Sequence, residues 1–274
     1  MRLATALARA QRGRDARFAL PVLSLALVLL ALAAPLSAFA LPTVIAKGRA
    51  VKIRGFPNTG NILGAGAAVQ AEVRISGTEY GGYPPPLIGI TVDLPKGVKI
   101  DTHDFPTCPP EFILEQREPS KCPKGSSAGP TGHAYGVVSF GTQRVDETAE
   151  ILSFLAPGGG LEFLVVGHSP VALEVPGSSR LVPHGPPGFG PQFTGPVPLV
   201  ETVPGAPDAS VERIEITLGT AIRKHGKTYY YGRVPQSCPK GGFRVRSELT
   251  FGEPGDLSRP ETVVVPFRAP CPKK

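Results

Sequence analysis

The sequence predicts an all-β fold: an antiparallel β-sandwich-like domain with long Pro/Gly-rich loops and one short helix, preceded by an N-terminal signal segment. Glycine and proline supply 33 and 32 of the 274 residues, and at this density they interrupt helices and mark turns. Apolar residues make up 41% of the chain, which is too much for a disordered protein. About a dozen short segments alternate polar and apolar residues, the period-two pattern of strands with one wet face.

Four segments alternate most clearly and predict strands. They are Val69–Ser76, Ile88–Leu94, Arg213–Leu218 and Phe243–Phe251. Weaker strand candidates lie at 45–53, 134–140, 149–155, 161–166, 171–175, 197–203, 227–234 and 262–267. Residues 176–196 are rich in glycine and proline and predict a long ordered loop. The one predicted helix lies between Pro109 and Pro119, where proline and an early acid mark a helix start.

The N-terminus has the pattern of a secretory signal. Five arginines precede an uncharged stretch over residues 18–46, and Ala38-Phe39-Ala40 has the small residues that signal peptidase reads. We therefore predict that residues 1–40 are a signal peptide cleaved after Ala40. The alternative is an uncleaved anchor, because the uncharged stretch is long enough to cross a bilayer. In both cases residues 41–274 are exported as one β domain, with a weak boundary near 204–210.

The charge of the chain belongs mostly to this leader. The whole chain has a formal net charge of +7, but removing residues 1–40 leaves 24 basic and 21 acidic residues, a net of +3. No run of lysine or arginine is longer than two residues. A nucleic-acid partner is therefore not expected. Membrane contact is expected only through residues 18–40, if they are not cleaved.

The four cysteines predict two disulfides. Each of Cys108, Cys122, Cys238 and Cys271 is followed by proline, and an even count in an exported chain indicates disulfide bonding. Three pairings exist, and loop-closure entropy favours Cys108–Cys122 and Cys238–Cys271 because these pairs enclose the shortest loops. A zinc site is disfavoured because the chain has no closely spaced C-x2-C pair.

Three places carry residues with catalytic or metal-binding chemistry. Residues 125–129 fit G-x-S-x-G around Ser127, but the flanking prolines predict a turn rather than the strand–turn–helix that a nucleophile elbow needs. Asp101 and His103 could ligate a metal but are more typical of a polar turn. His168 and Ser169 are neighbours at a predicted strand end, where adjacent side chains point to opposite faces.

Tyrosines are the best candidates for a binding surface. Tyr80 and Tyr83 precede a run of three prolines, and Tyr229 and Tyr231 belong to a Tyr-Tyr-Tyr strand segment. Exposed aromatic rings on a β surface can stack on sugar rings or contact a protein partner. The alternative is that these rings fill a core that has no tryptophan.

Several blocks of the sequence carry a resemblance. They are residues 60–67, 76–82, 94–97, 122–126 and 269–272. Through them the chain resembles a group of uncharacterised secreted β-rich proteins of high-GC actinobacteria, over most of residues 45–272. The resemblance implies an exported β-rich protein with two Cys-Pro pairs, and it implies no activity.

Two hypotheses of function follow. The first is a non-enzymatic protein, structural or ligand-binding, secreted or on the exterior of the cell envelope, whose partner is a cell-wall glycan or another surface protein. It predicts no catalytic residue, metal or cofactor. The alternative is an extracellular hydrolase or metal-dependent enzyme with a site near Asp101 and His103 or near His168 and Ser169, which requires these groups to converge in a cleft.

Overall fold

Antiparallel strands form most of the structure, so the all-β prediction is confirmed. The computed structural model describes residues 44–55, 63–140, 143–202, 204–253 and 256–271, all within the unit Pro42–Lys274. The predicted signal peptide or anchor lies outside the described residues. The strands are β1 (Ile45–Gly55), β2 (Ala67–Ser76), β3 (Leu87–Pro95), β4 (Lys99–Ile100), β5 (Gly132–Phe140), β6 (Gln143–Leu155), β7 (Leu161–Ser169), β8 (Leu173–Val182), β9 (Phe189–Pro196), β10 (Ser210–Leu218), β11 (Ala221–Lys224), β12 (Lys227–Tyr230), β13 (Gly232–Arg233), β14 (Phe243–Glu253) and β15 (Asp256–Ala269).

Eleven of these strands form one curled sheet. Their order is β1-β2-β10-β5-β6-β7-β8-β9-β3-β14-β15, and neighbouring strands pair antiparallel. The two edge strands approach each other, since a Cβ on Gly48 of β1 would lie 3.1 Å from the ring of Phe267 of β15. The sheet is therefore nearly closed, and its opposite walls face each other as the two layers of the predicted sandwich would. Two small antiparallel pairs, β11–β12 and β4–β13, lie outside this sheet.

The predicted loop at 176–196 is wrong, because this segment contains most of β8 and all of β9. Its glycines permit the strands to approach: a Cβ on Gly195 would collide with the carbonyl oxygen of Ser178. Glycine usually marks turns, but here it allows β8 and β9 to pack tightly against each other. The strand expected at 197–203 is also wrong, since residues 197–200 have no strand structure.

Both predicted disulfides are present. Cys108 and Cys122 are bonded with their Cα atoms 4.8 Å apart, and Cys238 and Cys271 are bonded with theirs 6.0 Å apart. The first bond encloses the predicted short helix, which is a single π-helical turn at Glu111–Glu115. Two 3-10 turns follow, at Pro119–Lys121 and Pro157–Gly159. Disulfides of this kind form in an oxidising environment.

The short helix covers the outer face of the sheet at β7 and β8. Ile113 of this turn is completely buried, together with Cys108 and with Leu164 of β7, and the three form a small core cluster. Glu162 lies on this same face of β7 and is only 2% exposed. We call this group the outer core. The backbone of β7 and β8 separates the outer core from the interior of the curled sheet.

Candidate binding cavity

The interior of the curled sheet contains a cavity of about 440 Å³ that is partly open to solvent. Its lining is almost entirely apolar and comes from both walls. Representative lining residues are Val73, Ile90, Val92, Phe163, Val165 and Phe193. A cavity of this size falls within the range of about 300–1,000 Å³ that is typical of small-molecule sites.

Small residues at inward-facing positions create this space. Ala71, Ala134, Gly177 and Gly195 all line the cavity, and they lie on four different strands. In a curled sheet each inward side chain fills part of the interior, so alanine and glycine at these positions leave volume unfilled. The sequence contained this signal, but it acquires meaning only when the curvature and the pairing of the strands are known.

One end of the cavity is closed by packed aromatic and aliphatic side chains. Phe105, Leu155, Leu161 and Tyr231 form a buried cluster there, with the rings of Phe105 and Tyr231 edge-to-face at 6.0 Å. The Tyr231 hydroxyl donates a hydrogen bond of 2.8 Å to the carbonyl oxygen of Gly159. Burial raises the pKa of Tyr231 above its ordinary value, so its hydroxyl stays protonated and keeps this bond at physiological pH.

The connection between β9 and β10 borders the cavity elsewhere. Residues 197–200 line it, and Leu199 is also 37% exposed, so the opening to solvent lies at this connection. Farther along, the hydroxyl of Thr202 donates a hydrogen bond to the carboxylate of Glu147 and ties the connection to β6. Burial raises the pKa of Glu147, and the bond from Thr202 opposes this rise.

A gap in the hydrogen-bond ladder lies beside this opening. Within the described strands, β8 pairs with β9 only through Arg180–Val182, whereas Leu173–Ser179 pair with β7 on their other side. Across the gap, a Cβ on Gly177 would lie 3.8 Å from the ring of Pro198. The chain after β9 therefore lies in van der Waals contact with β8 although the two form no ladder there. Ser178 and its neighbour Ser179 both border the cavity at this point.

Ser179 contributes an unpaired polar group to this lining. Its hydroxyl oxygen is shielded from water and has no hydrogen-bond partner in the described part of the chain. It pairs across the ladder with Leu161, which also lines the cavity. Two charged residues border the cavity: Glu72, which forms an ion pair with Arg74 on β2, and Arg233, which is exposed to solvent.

The four tyrosines of the predicted binding surface do not form one surface. Tyr80 and Tyr83 pair with each other in a tight turn, where both are half-buried, and the guanidinium of Arg144 lies 5.4 Å from the Tyr83 ring. Tyr229 packs against the cluster at the closed end of the cavity. Tyr231 is only 4% exposed, so its place on an outer surface is corrected: its ring is part of the interior.

The residues of the enzymatic alternative are also placed apart. The amide of His103 donates to the Asp101 carboxylate at 3.2 Å within a local turn, and His168 lies 3.8 Å from Glu150 at the end of β7. The Ser127 hydroxyl donates to the carbonyl oxygen of Gly129 two residues later, at 2.7 Å. Among the described residues, no group of three or more His, Cys, Asp or Glu side chains could hold a metal ion.

Three comparisons with known proteins found no relative of this chain. No family model, no curated protein and no solved structure matches it. Across the described ranges, every helix is too short or too polar to cross a membrane.

Proposed function

We propose that this protein is an exported, non-enzymatic binding protein that holds an uncharged apolar small molecule inside its curled sheet. The observation that carries the proposal is the cavity of about 440 Å³ with its apolar lining. The two disulfides support export, because such bonds persist in oxidising compartments.

The apolar character of the walls supports a bound ligand. Covering apolar surface contributes about 25 cal/mol for each Å² removed from water. The lining of this partly open cavity is almost entirely apolar, so an apolar ligand gains this contribution and also makes dispersion contacts with the walls.

The charge distribution supports an uncharged ligand. Glu72 is paired with Arg74, and Arg233, the other charged residue of the lining, is exposed to solvent, so the buried part of the lining has no unpaired charge. Burying an ionised group against apolar walls without a partner is strongly unfavourable. The part of the ligand that enters the cavity is therefore neutral.

Titration with an uncharged fluorescent probe, N-phenyl-1-naphthylamine, tests the proposal. We expect saturable fluorescence enhancement with one probe per chain. Ala134→Phe places a ring in the cavity and is expected to weaken binding at least 10-fold. His133→Phe adds the same ring to the neighbouring residue, which is exposed on the outer face, and is expected to leave binding unchanged. Absence of binding, or equal effects of the two variants, would overturn the proposal.

The glycan or surface-protein partner of Tyr80 and Tyr83 stays a prediction. Their half-buried rings and the nearby guanidinium of Arg144 are compatible with stacking on a flat partner. A pull-down on cell-wall glycan with the exported chain and with Tyr80→Ala and Tyr83→Ala variants tests it, and equal retention of all three would count against it.

A further inference from the structure

We infer that the ligand is amphipathic, with a hydroxyl or carbonyl group that hydrogen-bonds to Ser179 at the gap between β8 and β9 and an aliphatic body in the cavity. This inference rests on the proposed function, because it assigns the ligand class and the polar contact of that same site. The chemical class is a neutral long-chain alcohol, ketone or ester rather than a pure hydrocarbon.

The hydroxyl of Ser179 is unpaired. Buried hydroxyl groups are almost always hydrogen-bonded, and this one has no partner among the described residues although Ser179 borders the cavity. A ligand oxygen would satisfy it, because a serine hydroxyl can donate to a carbonyl or accept from another hydroxyl. A rotation about the single Cα–Cβ bond is enough to direct it toward a ligand.

The position of Ser179 also supports a polar contact there. It is the residue before Arg180, where the ladder between β8 and β9 begins, and Gly195 of β9 lies against Ser178 and Ser179. The lining around it is almost entirely apolar, so the polar group of a ligand finds its partner at Ser179 and its aliphatic part fills the remaining volume.

Access to the cavity is also available. The cavity is partly open to solvent, and residues 197–200, which border it, are not part of a strand. A ligand can therefore enter without breaking the ladder of the sheet.

Competition binding tests this inference. In this experiment, 1-decanol and 1-chlorodecane compete separately with the probe N-phenyl-1-naphthylamine. The chloride is similar in size to the alcohol but is a poor hydrogen-bonding partner. We expect wild type to prefer the alcohol about 10-fold. Ser179→Ala is expected to remove this preference and Ser179→Thr to retain it, since threonine keeps the hydroxyl.

Ser247→Ala is the matched control, because Ser247 also lines the cavity but lies on β14, three strands away. This variant is expected to keep the preference. If the probe binds but wild type does not distinguish the two ligands, or if Ser179→Ala keeps the preference, the inference is overturned and the proposed function stands. If neither the probe nor either ligand binds, both are overturned.

Discussion

The two faces of β7 differ in packing: side chains fill the space against the outer face but leave a cavity against the inner face. Toward the interior, Phe163 and Val165 face a cavity that no side chain fills. Toward the outside, Glu162 and Leu164 are buried beneath a helical turn that is held by a disulfide. The filled face includes a carboxyl group, whereas the unfilled face is apolar. Stability and binding are therefore expected to respond separately to substitutions on the two faces.

The largest effect is expected from truncation of the outer core. Leu164→Ala removes a completely buried side chain and is expected to lower the free energy of unfolding by about 2–5 kcal/mol. Val165→Ala, at the neighbouring position facing the cavity, is expected to lower it by less than about 1 kcal/mol because that side chain has fewer contacts to lose. Urea denaturation of both variants measures the difference. Equal losses would contradict the distinction between the faces.

Removal of the disulfide over the outer core is expected to have the next largest effect. Replacing Cys108 and Cys122 by serine opens a loop of 14 residues, which corresponds to about 3 kcal/mol in the chain-entropy model. Probe binding in the cavity should persist where the variant is folded, because this disulfide lies on the other side of the sheet. A variant that is folded but no longer binds the probe would contradict the independence of the two faces of β7.

Glu162 makes the stability of the outer core depend on pH. Burial, and secondarily the negative charge of Glu111, raises the pKa of Glu162 from 4.5 to about 7. The protonated form is favoured by folding, so this contribution is fully present below about pH 4.5 and is lost as the pH rises to 7. Glu162→Gln is expected to remove this loss and to stabilise the protein at pH 8 by up to about 3 kcal/mol.

Thermal unfolding of wild type and of the Glu162→Gln variant between pH 4 and 8 measures this effect. Glu111→Gln is the control: it removes the smaller cause of the raised pKa and should shift the pH dependence of stability slightly toward lower pH. A variant Glu162→Gln that is less stable than wild type at pH 8 would show that the carboxylate has a compensating partner.

The smallest effect is expected at the closed end of the cavity. Tyr231→Phe keeps the ring against Phe105 but removes the hydrogen bond to the carbonyl oxygen of Gly159. Loss of one such bond is expected to cost about 1 kcal/mol, with no change in the affinity for an apolar probe. A large loss of probe binding would instead indicate that this hydroxyl contacts the ligand.

Local rules were sufficient to predict one set of features. Alternation located most strands, and the cost of loop closure selected the pairs Cys108–Cys122 and Cys238–Cys271. Both rules depend on residues that are near each other in the chain. The burial of Glu162 and Leu164 on the outer face of β7 does not follow from such rules, because it depends on a helical turn elsewhere in the chain that folds over them.

The cavity and the gap could not be predicted in this way. Ala71, Ala134 and Gly195 leave a shared space only because distant strands bring them to the inside of one curved wall. The gap in the ladder beside Leu173–Ser179 depends on where β9 stops pairing with β8, which is a property of the assembled sheet. The glycines and prolines there suggested a loop, because the same residues serve turns and close strand packing.

The near-closure of the sheet also protects the protein from other copies of itself. Strand edges normally offer unpaired backbone groups to any neighbouring chain and promote aggregation. Here β1 and β15 lie against each other, so that each hinders access to the other's edge. Gly48 is small enough for the ring of Phe267 to lie against it. A larger side chain at Gly48 would press on the Phe267 ring and disturb this contact between the edges. Colloidal solubility thus depends on the contact between the two edges of the sheet.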